Sequence, residues 1–84
     1  SPIDEGFRTR IQKIYCGWRE AIASAVERGI KNGQIRKDVS PDAVSAFMVA
    51  AFAGVVGLTK NAQCCHFMEH AGQGMMMFLD SIEA

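Results

Sequence analysis

Apolar residues recur every three or four positions through the first third of the chain. Phe7, Ile11, Ile14, Tyr15, Trp18, Ile22, Ala25, Val26 and Gly29 fall within one stripe when successive residues turn by about 100°. Glu5, Thr9, Gln12, Lys13, Glu20, Glu27 and Lys31 take the opposite side, and Glu27 with Lys31 forms an i,i+4 pair in the favourable order. The pattern predicts an amphipathic helix over residues 4–32, about 40 Å long. The segment 33–44, GQIRKDVSPDAV, then supplies a stop and a start. Gly33 suits the position after a helix end, where the backbone turns left-handed and a side chain would clash. Ser40 can cap free N–H groups, Pro41 fits the first helical position, and Asp42 complements the dipole of a new helix. Ile35 and Val39 are the residues able to pin this turn to a core.

A second helix is predicted over residues 41–59. Residues 46–58 carry no polar side chain, so this helix should be buried nearly all round. The run is too short for a bilayer span of roughly 20 residues, and no membrane role is expected. On a helical wheel Ala43, Ala46, Ala50, Ala53, Gly54 and Gly57 gather on one side. Met48, Phe52, Val55 and Leu58 gather on the other, with Phe47 near the border. Small residues allow another helix backbone to approach closely, whereas bulky ones interdigitate in a core, so two different neighbours are implied. After TKNAQ, a polar connection, a third helix is predicted over residues 64–82. Its stripe comprises Cys64, Phe67, Met68, Ala71, Met75, Phe78, Leu79 and Ile82, backed by His66, Glu69, Gln73 and Asp80. Cys65, Met76 and Met77 lie at its margins, where thioethers adapt to an irregular partner surface.

With 84 residues the chain makes one domain. A domain this small buries only about 60% of the surface its unfolded form exposes, so a partner surface is expected to help. Nine acidic and nine basic residues give no net charge, which argues against nucleic-acid binding by this segment. Three cysteines, with no CxxC spacing, fit a reducing cytoplasm. The first residues have no signal-peptide pattern and do not begin with Met, so the segment is expected to come from a longer chain.

Chemistry has little to work with. His66 and His70 stand four apart, but no carboxylate joins them in a ligand motif and two histidines leave a metal short of ligands; no metal and no cofactor are expected. Cys64 falls on the apolar stripe with no group to orient a base, and reads as a structural thiol. Gly54 and Gly57 lie within a helix and form no phosphate loop. The chain is not expected to be an enzyme. Tyr15 and Trp18 share the inner face of the first helix and confront the bulky face of the second, either as core or as the lining of an apolar pocket.

A long helix with a mid-chain tryptophan, then ERGIKNGQIRKDVSPDAVSAFMVAAFAGVVGLTK, then an amphipathic helix ending FLDSI, resembles the C-terminal half of a TetR-type (tetracycline-repressor-like) transcriptional regulator. The hinge pattern of that family is matched by Gly33, Ile35, Arg36, Lys37, Asp38, Val39 and Pro41, and Gly54 or Gly57 stands for the glycine near the end of its next helix. The resemblance implies an all-α, three-helix antiparallel fragment that pairs with a second copy through a four-helix bundle. It implies that residues 1–84 form an effector-binding and dimerisation domain, and that DNA is reached only through an N-terminal helix-turn-helix domain outside these residues. Dimer contacts are then expected at Ala46, Ala50, Ala53, Gly54, Gly57, His70, Gly74, Met77 and Phe78. A small hydrophobic effector is expected at Ile11, Tyr15, Trp18, Phe47, Met48 and Phe52. The competing reading is a helical interaction module, a subunit of a larger assembly with no role on DNA.

Overall fold

The computed structural model describes residues 2–58 and 66–84, with side chains from residue 5 to 57 and from 66 onward. It contains α1 (Pro2–Lys31), α2 (Pro41–Leu58) and α3 (Phe67–Ile82), and no strand among the described residues. The all-α expectation and the three elements therefore stand. The expectations for the TKNAQ connection, Cys64 and Cys65 fall outside the described residues.

Local chemistry sets the first boundary. Gly33 has φ +78°. Its N–H donates to the Ile30 carbonyl at 3.1 Å, and the Gln34 N–H donates to the Gly29 carbonyl at 2.8 Å. Those two bonds make a Schellman motif, which satisfies carbonyls that the helix end would otherwise leave unpaired. Ile35 also donates to the Gly29 carbonyl, at 3.0 Å, and its side chain lies directly over Gly29. At the start of α2, Ser40 Oγ accepts from the Ala43 N–H at 3.1 Å, the N-cap bond that its position anticipates. Asp42, in the first turn, accepts from Arg19 Nη1 at 3.2 Å and so links α2 to α1.

The main packing is between α1 and α2. Its centre is made of small residues: Ala23, Val26 and Val44 are the buried apolar side chains, Gly29 is buried beside them, and Ser45 is completely inaccessible. The Ser45 hydroxyl bonds the Asp42 carbonyl at 3.0 Å, so a polar group enters the helix contact already satisfied. The sequence stripe placed Ala25 here. The structure exposes Ala25 and buries Ala23 instead, because α2 meets α1 off the centre of the apolar stripe and close to the hinge. Farther from the hinge the stripe is uncovered, and Phe7 is 66% exposed.

α3 returns to the hinge. Phe78 packs against Phe47 of α2 with ring centroids 4.8 Å apart, and Ile35 pairs with Glu83 in an isolated antiparallel bridge. The helix starts later than the sequence pattern suggests. His66 is its N-cap in the left-handed conformation (φ 53°), and the His70 N–H donates to the His66 carbonyl at 3.1 Å.

The Cα envelope measures 47 × 34 × 13 Å and is flattened along one axis. This flatness corrects the expectation that α2 is buried nearly all round. Phe47 and Phe52 are each 53% exposed and Val56 59%.

Two glycines of α1 should respond oppositely to alanine. At Gly17 a Cβ meets no atom within 4 Å, so Gly17→Ala should stabilise the protein by roughly 0.8–1 kcal/mol through helix propensity. At Gly29 a Cβ would lie 2.5 Å from Ile35 Cδ1 and 2.9 Å from its Cγ1. Gly29→Ala should therefore cost about 1 kcal/mol net, with crowding exceeding the propensity gain. Adding Ile35→Val, which removes the obstructing Cδ1, should recover part of that loss. Removing the cap with Ser40→Ala should cost about 1 kcal/mol. Urea unfolding of the four variants checks all these values.

Candidate functional site

Beyond the small-residue contact, α1 and α2 diverge and larger side chains take over. Trp18 is the pivot of an aromatic run, edge-on to Tyr15 at 5.7 Å and to Phe52 across the helix pair at 5.4 Å. Such T-shaped pairs are favoured by the ring quadrupole and hold ring orientation better than aliphatic contacts do. Trp18 and Phe52, with Ile22, Met48, Val49 and Met75, line a cleft of about 380 Å³. A second cleft, about 530 Å³, opens between α2 and α3 and is lined by Phe47, Ala51, Phe52, Val55, Met68, Ala71, Gly72, Gly74 and Met75. Phe52 and Met75 belong to both, so the two clefts adjoin there.

Among the described residues no ionisable side chain lines either cleft. An apolar wall of this kind takes up uncharged hydrophobic surface and excludes a charged group, whose desolvation nothing in the lining offsets. It offers no acid, base or nucleophile. Elsewhere among the described residues there is no cluster of three or more potential metal ligands. His66 Nδ1 lies 3.6 Å from Glu69 Oε2, and His70 Nδ1 lies 3.3 Å from Gln73 Oε1, so each histidine has its own exposed polar neighbour.

Of the six residues expected to contact an effector, Trp18, Met48 and Phe52 meet in the cleft between α1 and α2, and Phe52 and Phe47 line the other. Tyr15 touches the site through Trp18, and Ile11 lies half-buried one turn beyond it. Of the nine expected at a dimer contact, Ala46, Ala50, Gly54, Gly57, His70 and Met77 are exposed and Ala53 is half-buried. A Cβ at Gly54 or Gly57 would meet nothing within 4 Å. Of the other two, Gly74 is exposed and lines the α2–α3 cleft, and Phe78 is half-buried against Phe47 of the same chain.

Val49, Ala51 and Gly72 were not singled out from the sequence as site residues. Met75 was recognised only as part of the α3 stripe, although it joins both clefts. The available signal was the position of Met75, one helical turn before Phe78 and Leu79 on that stripe. No helix among the described residues is long and apolar enough to cross a membrane.

Comparison with known proteins identifies the family. Residues 3–75 match the family described as tetracyclin repressor-like, C-terminal domain. Over 56 residues the chain is 29% identical to the HTH-type transcriptional repressor DhaR of Mycobacterium sp. (strain GP1), covering 67% of this chain and 28% of that protein. The chain thus spans little more than a quarter of the relative's length. No solved structure matches the chain significantly. With residues 3–75 matched, the chain belongs to the tetracyclin repressor-like C-terminal domain family, and is a domain of a transcriptional regulator rather than an enzyme.

Proposed function

We propose that these 84 residues are the effector-binding and dimerising part of a cytoplasmic transcriptional repressor whose DNA contacts are made by a helix-turn-helix domain outside them. The effector is an uncharged hydrophobic molecule held in the cleft beside Trp18. The observation that carries the reading is the lining of that cleft, in which Trp18, Ile22, Met48, Val49, Phe52 and Met75 supply apolar surface and no charge. Family membership supports the regulatory role, and the name of the DhaR relative, a helix-turn-helix repressor, supports both the DNA-reading domain and repression.

Dimerisation follows from the open face of α2. Ala46, Ala50, Gly54 and Gly57 are exposed on a helix that is otherwise apolar, so a second helix can approach its backbone closely. In the same assembly His70, Gly74, Met77 and Phe78 bring α3 to the partner, and Ala53 completes the α2 seam. Occupancy of the cleft then biases the arrangement of two linked subunits, which is how binding at one site changes affinity at another.

Trp18 is a built-in reporter, because it is the only tryptophan in the chain. The uncharged probe N-phenyl-1-naphthylamine should change Trp18 emission on binding, and Phe52→Ala should weaken that binding roughly tenfold by removing one ring of the pair. Saturable binding unaffected by Phe52→Ala would refute the placement of the effector. In sedimentation at micromolar concentration the protein should run as a dimer, and Gly54→Leu should shift it toward monomer. A monomer, indifferent to Gly54→Leu, would refute the interface.

A further inference from the structure

The end of α3 is held in an unusual way. The Arg36 N–H donates to the Ile82 carbonyl at 2.9 Å, and the Ala84 N–H donates to the Gln34 carbonyl at 3.0 Å, flanking the bridge between Ile35 and Glu83. The Arg36 guanidinium adds a third tie, with Nη1 donating to the Ser81 carbonyl at 3.3 Å while Nη2 is braced on Asp38 Oδ2 at 2.5 Å. No residue of α3 is buried. Half-buried apolar residues such as Ala71, Met75 and Phe78 add further attachment along the helix. Apolar contacts are non-directional and tolerate sliding, whereas hydrogen bonds fail within a few tenths of an ångström and a few tens of degrees.

We propose that the 34–36 loop is a latch that fixes the C-terminal end of α3, so that the helix pivots there and the pivot sets the width of the α2–α3 cleft. Arg36 is its positioning residue, because one side chain grips the end of α3 while Asp38 holds that side chain in place. The latch also explains the demand for glycine at position 29. The same loop is seated by Ile35 on Gly29, so the pivot is fixed relative to α1. This inference concerns how the cleft changes width and does not depend on what fills it.

The test uses the intact protein carrying pairs of spin labels on unnatural ketone residues at positions 20 and 80, or 20 and 69, read by pulsed electron resonance. The 20–80 distance should be narrowly distributed and the 20–69 distance broad. Ala84→Pro removes one latch N–H, and Glu83 (φ −66°, ψ 142°) already has the extended conformation that a residue before proline requires. In this variant, and in Arg36→Ala, the 20–80 distribution should broaden. Amide exchange at Arg36 should rise roughly tenfold in Ala84→Pro while the Val44 amide keeps its protection. Equally narrow distributions for both label pairs, or a 20–80 distance indifferent to Ala84→Pro, would overturn the latch. Equal acceleration at Val44 would also overturn it, since the contact would then serve only global stability.

Discussion

Three helices that leave most of their large apolar side chains exposed have almost no inside. Among the described residues Ala23, Val26 and Val44 are the buried apolar side chains, and much of the remaining apolar surface of the three helices meets water. The radius of gyration, 15.4 Å, exceeds the roughly 12 Å of a compact domain of this length, as the 30-residue α1 requires. Ala23, Val26 and Val44 make a very small buried core among the described residues. The stability of the fold therefore depends on directional features at the hinge, where caps, a Schellman turn and main-chain bonds to α3 converge within a few residues.

The hinge achieves this by using small residues where helices cross and specific donors where they end. Gly29 leaves room for Ile35, Ser45 lets α1 close on α2 without a bulky side chain, and Arg36 reaches back to the end of α3. Each choice sacrifices buried apolar area for close approach or for orientation. That trade favours a defined geometry over a large core. The bulky residues are displaced to the far side of the crossing, where they form clefts instead of a filled interior.

What could be read from the sequence was what depends on neighbouring residues. Gly33, Ser40 and Pro41 act within four positions of themselves, and both helix boundaries at the hinge follow from them to within a residue. The facing of Trp18 toward Phe52 was also legible, because helical periodicity puts both on inner stripes. The rest depends on contacts across long stretches of chain. Nothing near Arg36 in sequence indicates the Ser81 carbonyl 45 residues away. A periodic stripe gives the direction of a helix face but not where along the face the neighbour crosses, which is why Ala23 and not Ala25 is buried. The apolar run of α2 correctly indicated a helix that needs cover. It could not indicate that the single chain supplies cover on its flanks alone.

The overlap of the two proposed surfaces gives the domain a route for coupling. Phe47, assigned to the effector side, and Phe78, assigned to the dimer side, are packed ring against ring, and Gly74 of the dimer set lines the same cleft as Phe47 and Phe52. A ligand that moves Phe52 or Met75 thereby acts on the residues that position α3, and a second copy pressing on α3 acts on the cleft. Because the coupling is a difference in binding free energy, it has the same magnitude in both directions. A lining without polar groups suits that role. It holds a ligand by shape and area, so occupancy is registered as displacement of helices rather than as a new hydrogen bond at one residue.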